Sequence, residues 1–375
     1  MEKFVMLRFS QLIFTFAIAC LSLSGVVQAE GYLTSIGKGA DRIPVVVVKG
    51  TPYEMGKQQG ELIKADATEM IQSLMKKIQT AEPERCSNAS LDAAWKAIAP
   101  HTDARFKAEL RGFAEGTGMS LTLLQRAHAL PVVMDYSCSS IAAWGSATKD
   151  GHLYQTRNLD WTMELGAQDY PCITVYIPSE GIPHVNITFA GFIGANTGMN
   201  AKGIVLSEMG DSPGKDYPFN MNGVHFTTLF RQVMYDADGL EPAIDIFKNA
   251  KRMKKYHYVV GDGANLRAVK MLAHAPDLVI WNDNDPKDEL APQVMKNLVY
   301  QDEGRGAFQP LQKVYGKIGA PEMIDIACQI PIKGGNILDV VYDATALEFW
   351  VSYAEKQTEA YQRPFVHFKL KDYLK

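Results

Sequence analysis

One thiol and three polar side chains stand close together in the middle of the sequence. Cys138 begins an apolar, strand-like run, and Arg157, Asn158 and Asp160 end a second run of the same kind. Lys149-Asp150-Gly151 between the two runs favours a turn, because glycine adopts positive φ at no steric cost. This spacing predicts a β-hairpin that brings a thiol, a guanidinium, an amide and a carboxylate together.

The thiol of Cys138 needs a base or a positive charge before it can act as a nucleophilic thiolate. A distant histidine could be that base, as in papain. The sequence contains 8 histidines, which leaves this possibility open, although no papain-type signature surrounds Cys138. A lone cysteine at the start of a strand can also be a small buried hydrophobe.

A second route to a thiolate uses the backbone of Cys138 itself. If the chain is cut before this residue, the new α-amino group, with an ordinary pKa of about 8, can accept the thiol proton. Asp160 would then orient the ammonium group. Arg157 would hold the new terminus or a substrate carboxylate by paired hydrogen bonds. Composition and spacing alone do not decide between the two routes.

Size and charge limit the classes of protein to consider. The chain has 375 residues, of which 47% are hydrophobic, enough for one large domain or two modest ones. Its formal net charge is −4 and it has no long basic block, so we expect no nucleic-acid partner.

The first residues have the pattern of a targeting segment. Lys3 and Arg8 precede the apolar range 12–27, and Val27-Gln-Ala29 places small residues where a signal peptidase cuts. We predict a signal peptide over residues 1–29, cut after Ala29, and a secreted or periplasmic protein. An uncleaved membrane anchor is the alternative. No later window is apolar enough to span a bilayer, so we expect no stable membrane insertion after the signal is removed.

The cysteines argue against a disulfide scaffold or a metal site. Loss of Cys20 with the signal peptide leaves Cys86, Cys138, Cys172 and Cys328. If Cys138 stays free for chemistry, at most one disulfide can form, and its partners stay open. No closely spaced cysteines indicate a metal site.

Hydrophobic periodicity changes at Cys138. Before it, a buried strand over residues 43–48 leads into helices, the first over residues 53–80 and the last over residues 121–129, where Pro131 is predicted to end it. After it, strand-like runs dominate, interrupted by helical patterns over residues 227–235, 241–250, 311–318 and 323–327. This order predicts an α+β layered fold.

Four features of the sequence are similar to those of one enzyme family. They are Gly50-Thr-Pro-Tyr-Glu-Met-Gly-Lys-Gln-Gln-Gly60, Cys138 after a helical segment of suitable length, Thr156-Arg-Asn-Leu-Asp-Trp161, and Gly198-Met-Asn-Ala-Lys-Gly-Ile-Val-Leu-Ser-Glu-Met-Gly210. The chain resembles the penicillin acyltransferase-type N-terminal-nucleophile hydrolases, the group around isopenicillin-N acyltransferase. Choloylglycine hydrolases are more distant relatives.

The resemblance implies a fold and a maturation step. The fold is a four-layer αββα arrangement preceded by a mainly helical pro-segment. The precursor cuts itself between Ser137 and Cys138, which gives a pro-segment or small subunit over residues 30–137 and a catalytic subunit over residues 138–375. The pro-segment stays bound as a partner.

The resemblance also implies the roles of the site residues. Cys138 is the nucleophile and its own base, and Asp160 orients the α-amine. Arg157 lies near the nucleophile, and Asn158 fixes backbone at the site. The substrate is a small-molecule acyl amide, and no cofactor is required.

The chain departs from the family pattern where oxyanion donors are expected. Relatives often carry an asparagine where this chain has Ser207-Glu208-Met209, and Thr-Asn where it has Trp281-Asn282. Asn282 is therefore a candidate oxyanion donor or an ordinary loop residue. Ser207 and Glu208 are candidate substrate contacts, and Glu208 could equally be a solvent-facing residue at a strand end. These departures argue against penicillin or bile-salt specificity.

Three functions stay open at this point. The first is a self-cleaving cysteine amide hydrolase or acyltransferase, with hydrolysis favoured because an exported enzyme meets water and little acyl-CoA. The second is an unprocessed Cys-His hydrolase. The third is a non-catalytic exported binding protein on the same fold.

Overall fold

The computed structural model describes residues 31–134, 137–210, 222–253, 255–273, 277–288, 291 and 293–374. The predicted signal peptide and its cut after Ala29 lie outside these residues. Within the described part of the chain, no helix is both long and apolar enough to cross a membrane.

The segment before Ser137 forms two strands and then a group of helices. The strands are β1 (Tyr32–Ile36) and β2 (Ile43–Gly50). The helices are α1 (Pro52–Leu62), α2 (Lys64–Ala81), α3 (Asn88–Ile98), α4 (Ala104–Thr117) and α5 (Leu121–Val133). The segment before Ser137 is therefore mainly helical, as predicted, but it begins with a strand that the sequence pattern did not show.

Two helix boundaries differ from the prediction. The single helix predicted over residues 53–80 is two helices, because Ile63 has φ −121° and ψ 25° and breaks the helical path. Helix α5 continues past Pro131 to Val133. Proline fixes φ near the helical value, so two more residues can follow Pro131 in helical geometry. Its missing N–H removes one hydrogen bond from the helix, which ends soon afterwards.

The remaining chain forms most of two sheets and two pairs of helices. Its strands are β3 (Ser137–Gly145), β4 (Gly151–Asp160), β5 (Pro171–Pro178), β6 (His184–Phe189), β7 (Thr197–Asn200), β8 (Ile204–Gly210), β9 (Tyr256–Asp262), β10 (Arg267–Ala273), β11 (Leu278–Trp281), β12 (Leu298–Gln301), β13 (Asn336–Asp343), β14 (Glu348–Tyr353) and β15 (Val366–Lys369). Its helices are α6 (Phe226–Asp236), α7 (Leu240–Asn249), α8 (Phe308–Val314) and α9 (Ala320–Ala327).

The strands divide between a 9-stranded sheet and a 6-stranded sheet within the described residues. The larger has the order β1-β2-β5-β6-β7-β8-β9-β10-β11, and the smaller has the order β12-β3-β4-β13-β14-β15. Strand β2 pairs in parallel with β5, so the segment before Ser137 extends the larger sheet.

The two sheets pack face to face between two layers of helices. Residues of β8, β9 and β10 form one apolar cluster with α6 and α7, on the outer face of the larger sheet. Residues of β3 and β12 form another with α8 and α9, on the outer face of the smaller sheet. Gln155 on β4 donates to Ser207 on β8 at 2.9 Å and joins the sheets across their inner faces. The predicted α+β class and four-layer αββα order are confirmed.

Helices α1 and α4 pack unusually closely through glycine. A Cβ atom on Gly56 or Gly60 would overlap the backbone of α4, and one on Gly112 or Gly116 would overlap the backbone of α1. Gly56 and Gly60 belong to the opening motif that resembles the enzyme family. In this chain Gly56 and Gly60 therefore serve helix packing.

Candidate active site

The hairpin of β3 and β4 places the predicted site residues in register. Ser137 lies opposite Asp160, Cys138 opposite Leu159, and Ser139 opposite Asn158. Side chains alternate between the faces of a strand. Cys138, which is 0% exposed, therefore belongs with Leu159 to the cluster on the inner face of the sheet. Asp160 projects from the other face, directly across from the residue before Cys138.

Asp160 is a buried carboxylate with an arginine and an asparagine as hydrogen-bond donors. Its Oδ2 accepts from Nη1 of Arg305 at 2.7 Å, and its Oδ1 accepts from Nδ2 of Asn336 at 3.1 Å. Burial raises the pKa of the Asp160 carboxyl, and the Arg305 guanidinium opposes this rise. Arg305 therefore favours the charged form that is needed to orient an ammonium group.

Arg305 is a site residue that the sequence did not reveal. Besides Asp160, its Nη2 donates to Ser137 Oγ at 2.7 Å and to the carbonyl oxygen of Cys138 at 3.5 Å. It also pairs with Glu303 at 2.9 Å, and Ser137 Oγ donates to the same Glu303 oxygen at 2.7 Å. One guanidinium thus contacts both residues of the Ser137–Cys138 bond.

The segment around Arg305 carries a local signal in its backbone. Glu303, Gly304 and Gly306 all have positive φ, so a tight turn between β12 and α8 presents the arginine. Asp302 stabilises this turn by accepting from the backbone N–H groups of Gly304 and Ala307. The sequence shows Gly304 and Gly306 on either side of Arg305, but no local pattern indicates that this segment contacts Asp160.

Arg157 is fully buried and holds backbone near Cys138. Its Nε donates to the carbonyl oxygen of Asn196 at 3.2 Å, and its Nη1 donates to that of Asn158 at 2.5 Å. Asn196 lines a cavity beside the hairpin. Through its hydrogen bond to Asn196, Arg157 supports one wall of that cavity.

Asn158 points away from the inner face, toward helix α9. Its Nδ2 donates to the carbonyl oxygen of Ala327 at 3.0 Å and to Oδ1 of Asp339 at 2.7 Å. It therefore ties the hairpin to the end of α9 and to a second buried carboxylate on β13.

The three other candidates, Ser207, Glu208 and Asn282, lie in surroundings of their own. Ser207 lies between the sheets, where its hydroxyl accepts from Gln155 and donates to the carbonyl of Thr156 at 3.2 Å. Both hydrogen-bonding functions of this hydroxyl are engaged, so the structure gives Ser207 a part in joining the sheets. Glu208 is buried on the opposite face of β8, paired with Tyr258 in the helix-covered layer, and not at a solvated strand end.

Asn282 lies near the far end of β3 from Cys138. The neighbouring Asp283 accepts from the backbone N–H of Asn297, whose carbonyl accepts from the backbone N–H of Trp144. Because β3 rises about 3.4 Å per residue, Trp144 is roughly 20 Å from Cys138. Asn282 is also exposed, which is typical of an ordinary loop residue. The predicted oxyanion role for Asn282 has no geometric basis here.

An apolar cavity of about 80 Å³ lies beside Leu159, the cross-strand partner of Cys138. The segment before Ser137 supplies part of its wall through Leu130, Pro131 and Met134. Phe189 at the end of β6 and Phe192 just after it supply another part. This lining suits an apolar group.

His128 is the histidine of the described residues that lines this cavity. Its Nδ1 donates to the carbonyl of Leu124 at 2.8 Å, and its Nε2 accepts from the backbone N–H of Ile193 at 3.1 Å. Burial lowers the pKa of His128 to about 4. Both ring nitrogens are engaged and the ring is neutral, so His128 is poorly suited to deprotonate Cys138.

Cys86, Cys138, Cys172 and Cys328 are all free thiols. Burial raises the pKa of Cys172 and of Cys328 to about 12, so neither is a thiolate near neutral pH. Within the described ranges, no group of three or more His, Cys, Asp or Glu side chains could hold a metal ion.

Comparison with known proteins gives remote similarities. No family model matches the chain. Protein dcd1B of Dictyostelium discoideum is 26% identical over 389 residues, which cover 91% of this chain and 77% of that protein. Protein dcd1A of the same organism is 24% identical over 403 residues, which cover 92% of this chain and 88% of that protein.

Some solved structures are similar over part of the chain. An N-acylethanolamine-hydrolyzing acid amidase ortholog of Caenorhabditis elegans has a TM-score of 0.43 and 14% identity, covering 61% of this chain and 98% of its own. Penicillin V acylase from Agrobacterium tumefaciens has a TM-score of 0.40 and 12% identity, covering 58% and 83%. A variant of conjugated bile acid hydrolase from Clostridium perfringens has a TM-score of 0.42 and 11% identity, covering 63% and 93%.

Proposed function

We propose that the chain is the precursor of a cysteine amide hydrolase that cuts itself between Ser137 and Cys138. The observation that carries this proposal is the position of the Asp160–Arg305 ion pair. Asp160 lies opposite Ser137, and Arg305 contacts the Ser137 hydroxyl and the Cys138 carbonyl, so a carboxylate and a cation both lie beside the two residues of this bond. A structural thiol would need neither.

Self-cleavage requires no group from outside except water. The Cys138 sulfur attacks the carbonyl carbon of Ser137, the C–N bond breaks, and the thiol proton passes to the departing nitrogen. The product is a thioester of Ser137 on Cys138 and a free α-amino group on Cys138. Water then hydrolyses the thioester, which leaves a carboxylate on Ser137 and a thiol on Cys138.

Turnover reuses the same groups in the same positions. The α-amine takes the thiol proton, and the thiolate attacks the acyl carbon of the substrate amide. The ammonium returns this proton to the departing amine. The acyl-enzyme is then hydrolysed by water, which the α-amine activates, or it transfers the acyl group to another amine. Asp160, kept ionised by Arg305, orients the ammonium throughout.

The proposed substrate is an amide with an apolar acyl group. The cavity beside Leu159 is lined mainly by aliphatic and aromatic side chains, which favours burial of hydrocarbon over charged groups. Penicillin and bile-salt specificity are not part of this proposal. The isopenicillin-N acyltransferase type is kept as the family hypothesis on the strength of the four sequence features.

The pro-segment is proposed to remain bound after cleavage as the small subunit. Glu109 on α4 and Arg231 on α6 form a salt bridge at 2.7 Å, with exposures of 0% and 2%. Strand β2 is hydrogen-bonded to β5, and Leu130, Pro131 and Met134 line the cavity. Release of the segment would separate β2 from β5, would leave Glu109 and Arg231 without their partners, and would open the cavity.

Export through the predicted signal peptide completes the proposal and favours hydrolysis over acyl transfer. The unprocessed Cys-His hydrolase is the second candidate, and the engaged ring of His128 argues against it. The non-catalytic binding protein is the third candidate, and the groups around the Ser137–Cys138 bond argue against it.

A panel of acyl anilides tests the proposed activity. Purified protein is incubated with p-nitroanilides that carry acetyl, hexanoyl, decanoyl or phenylacetyl groups, and release of nitroaniline is followed by absorbance. We expect the apolar acyl groups to be cleaved, with no cleavage by Cys138→Ala. Cys172→Ala is the matched control, since it removes another buried thiol, and it should keep the wild-type rate. Equal rates for wild type and Cys138→Ala would overturn the proposal.

A further inference from the structure

A second buried carboxylate lies behind Asp160, and one amide group connects the two. Nδ2 of Asn336 donates to Oδ1 of Asp160 at 3.1 Å and to Oδ1 of Asp339 at 2.7 Å. An amide nitrogen has two hydrogens, so it can serve both carboxyl groups at once. Oδ1 of Asn336 accepts from the backbone N–H of Tyr361 at 2.9 Å, which fixes the orientation of the amide.

Asp339 lies in surroundings that disfavour a charge. It is 0% exposed, and its Oδ1 accepts from Asn158 and Asn336, both uncharged amides. No hydrogen-bond partner for its Oδ2 occurs within the described part of the chain. An ionised carboxylate in such a place is costly unless it is paired.

The charged and titratable groups around Asp339 come from two neighbouring elements. Strand β4 contributes Asp160 and Arg157, and the end of α9 contributes the thiol of Cys328. On the other side, Ser352 of β14 lies opposite Asp339. Burial raises the pKa of Asp339 well above its ordinary value and Asp160 adds to the rise, while the two amides and Arg157 oppose it.

We propose that Asp339 holds a proton in the folded protein and acts through Asn336 as a positioning residue for Asp160. With Asp339 neutral, Asp160 is the one charged member of the two carboxyl groups that share the Asn336 amide, and that amide stays directed at both oxygens. Ionisation of Asp339 would add a second negative charge a few ångströms from Asp160 and draw the amide toward itself. The role in catalysis rests on the proposed function; the proton on Asp339 does not.

Stability as a function of pH tests the proton without any activity. The background is Cys138→Ala, which cannot cleave itself, and Asp339→Asn is added to it because asparagine resembles the neutral carboxyl. A carboxyl whose pKa is raised on folding loses stabilising influence as pH rises from its unfolded pKa to its folded pKa. The double variant should therefore gain stability relative to Cys138→Ala as pH rises above about 4, by about tenfold in the unfolding constant per pH unit.

The pH profile of turnover tests the coupling to the site. In the wild type, activity should rise as the α-amine loses its proton and fall at higher pH as Asp339 ionises. Asp339→Asn should retain the rise and lack the fall, with activity at neutral pH within about threefold of wild type. Asp343→Asn is the matched control on the same strand and should leave the fall in place.

Asn336→Ala carries the test if Asp339→Asn does not fold, since it removes the shared amide and leaves both carboxyl groups. It should slow self-cleavage at least tenfold and make the alkaline fall smaller, because Asp339 then acts on Asp160 through its charge alone. A stability difference that does not change between pH 5 and 9 would overturn the proton on Asp339, and an unchanged alkaline fall in Asp339→Asn would overturn the coupling. If the wild type neither cleaves nor hydrolyses, the proposed function fails while the stability comparison still decides the proton.

Discussion

Arg305 and Asp160 are 145 residues apart in sequence, and they form an ion pair at 2.7 Å beside the Ser137–Cys138 bond. Asp160 lies on the same hairpin as Cys138, whereas Arg305 lies in the turn between β12 and α8. The pair combines a buried carboxylate with the cation that favours its charged form. This relationship gives the proposed self-cleavage its clearest consequences.

Removal of the cation should slow self-cleavage. We expect Arg305→Gln to reduce the rate on the order of a hundredfold, because both Asp160 and Ser137 lose a donor that positions them. The rate is measured by gel analysis of precursor disappearance after synthesis. Arg267→Gln is the control, since Arg267 pairs with Glu241 on the surface. A wild-type rate in Arg305→Gln would contradict the assigned role.

Self-cleavage should also lose rate in acid at a higher pH than an ordinary aspartate would give. Burial raises the pKa of Asp160, so its carboxylate is protonated, and its ion pair with Arg305 beside the Ser137–Cys138 bond is lost, at a pH above the usual value of about 4. Loss of the Arg305 cation raises this pKa further, and the acid limb of Arg305→Gln should move to higher pH. Rate profiles of both proteins between pH 3 and 9 check this, and coincident acid limbs would refute it.

The buried pair of Glu109 and Arg231 should hold the two fragments together. Glu109→Gln leaves the Arg231 guanidinium without its counter-ion in a fully buried position, which costs about 3–5 kcal/mol. Urea unfolding and size-exclusion chromatography of cleaved protein measure the loss. Glu241→Gln, which breaks an exposed pair with Arg267, should cost less than about 1 kcal/mol. Equal losses in the two variants would show that the buried pair does not dominate.

The opening glycine motif should matter for folding and not for chemistry. Gly56→Ala places a Cβ against the backbone of α4 at Glu109. The two helices would have to move apart to make room for it. We expect little soluble precursor, measured by expression and circular dichroism. Glu61→Ala on the exposed side of the same helix should behave as wild type. Soluble, stable Gly56→Ala with impaired cleavage would instead place the motif in the site.

Asn282 should be dispensable for catalysis. It lies exposed near the far end of β3, so Asn282→Ala should leave kcat/KM for a cleaved anilide within about twofold of wild type, whereas loss of an oxyanion donor costs 10²–10³-fold in kcat. Steady-state kinetics of the two proteins decide the matter. A loss of a hundredfold would restore the role suggested by its sequence position.

The local sequence was sufficient to predict the hairpin of β3 and β4. It was not sufficient to predict which residues surround that hairpin. Alternating apolar residues and a glycine turn predicted that Cys138 and Asp160 would meet, because both lie within one pair of adjacent strands. Asn336 lies 176 residues from Asp160, and its contact depends on β13 pairing with β4. Such pairing follows from the order of strands in the sheet, which short motifs do not encode.

The other differences have the same physical origin. Asn282 was a candidate donor or a loop residue because it follows a strand, and β11 lies at the edge of the larger sheet, beyond β10. Glu208 was a candidate contact or a solvent-facing residue, because the sequence did not show which face of β8 it occupies, and a shift of one residue reverses the face. Strand β12, which has 4 residues and pairs with β3, was not predicted.

The central claim is that Cys138 becomes the first residue of a separate polypeptide. Intact mass spectrometry of the purified, exported protein under denaturing conditions tests it directly, with Cys138→Ala as the control. We predict two fragments for the wild type, the larger beginning at Cys138, and one uncut chain for the variant. A single wild-type chain, or a cut at any other bond that persists in Cys138→Ala, would contradict the account.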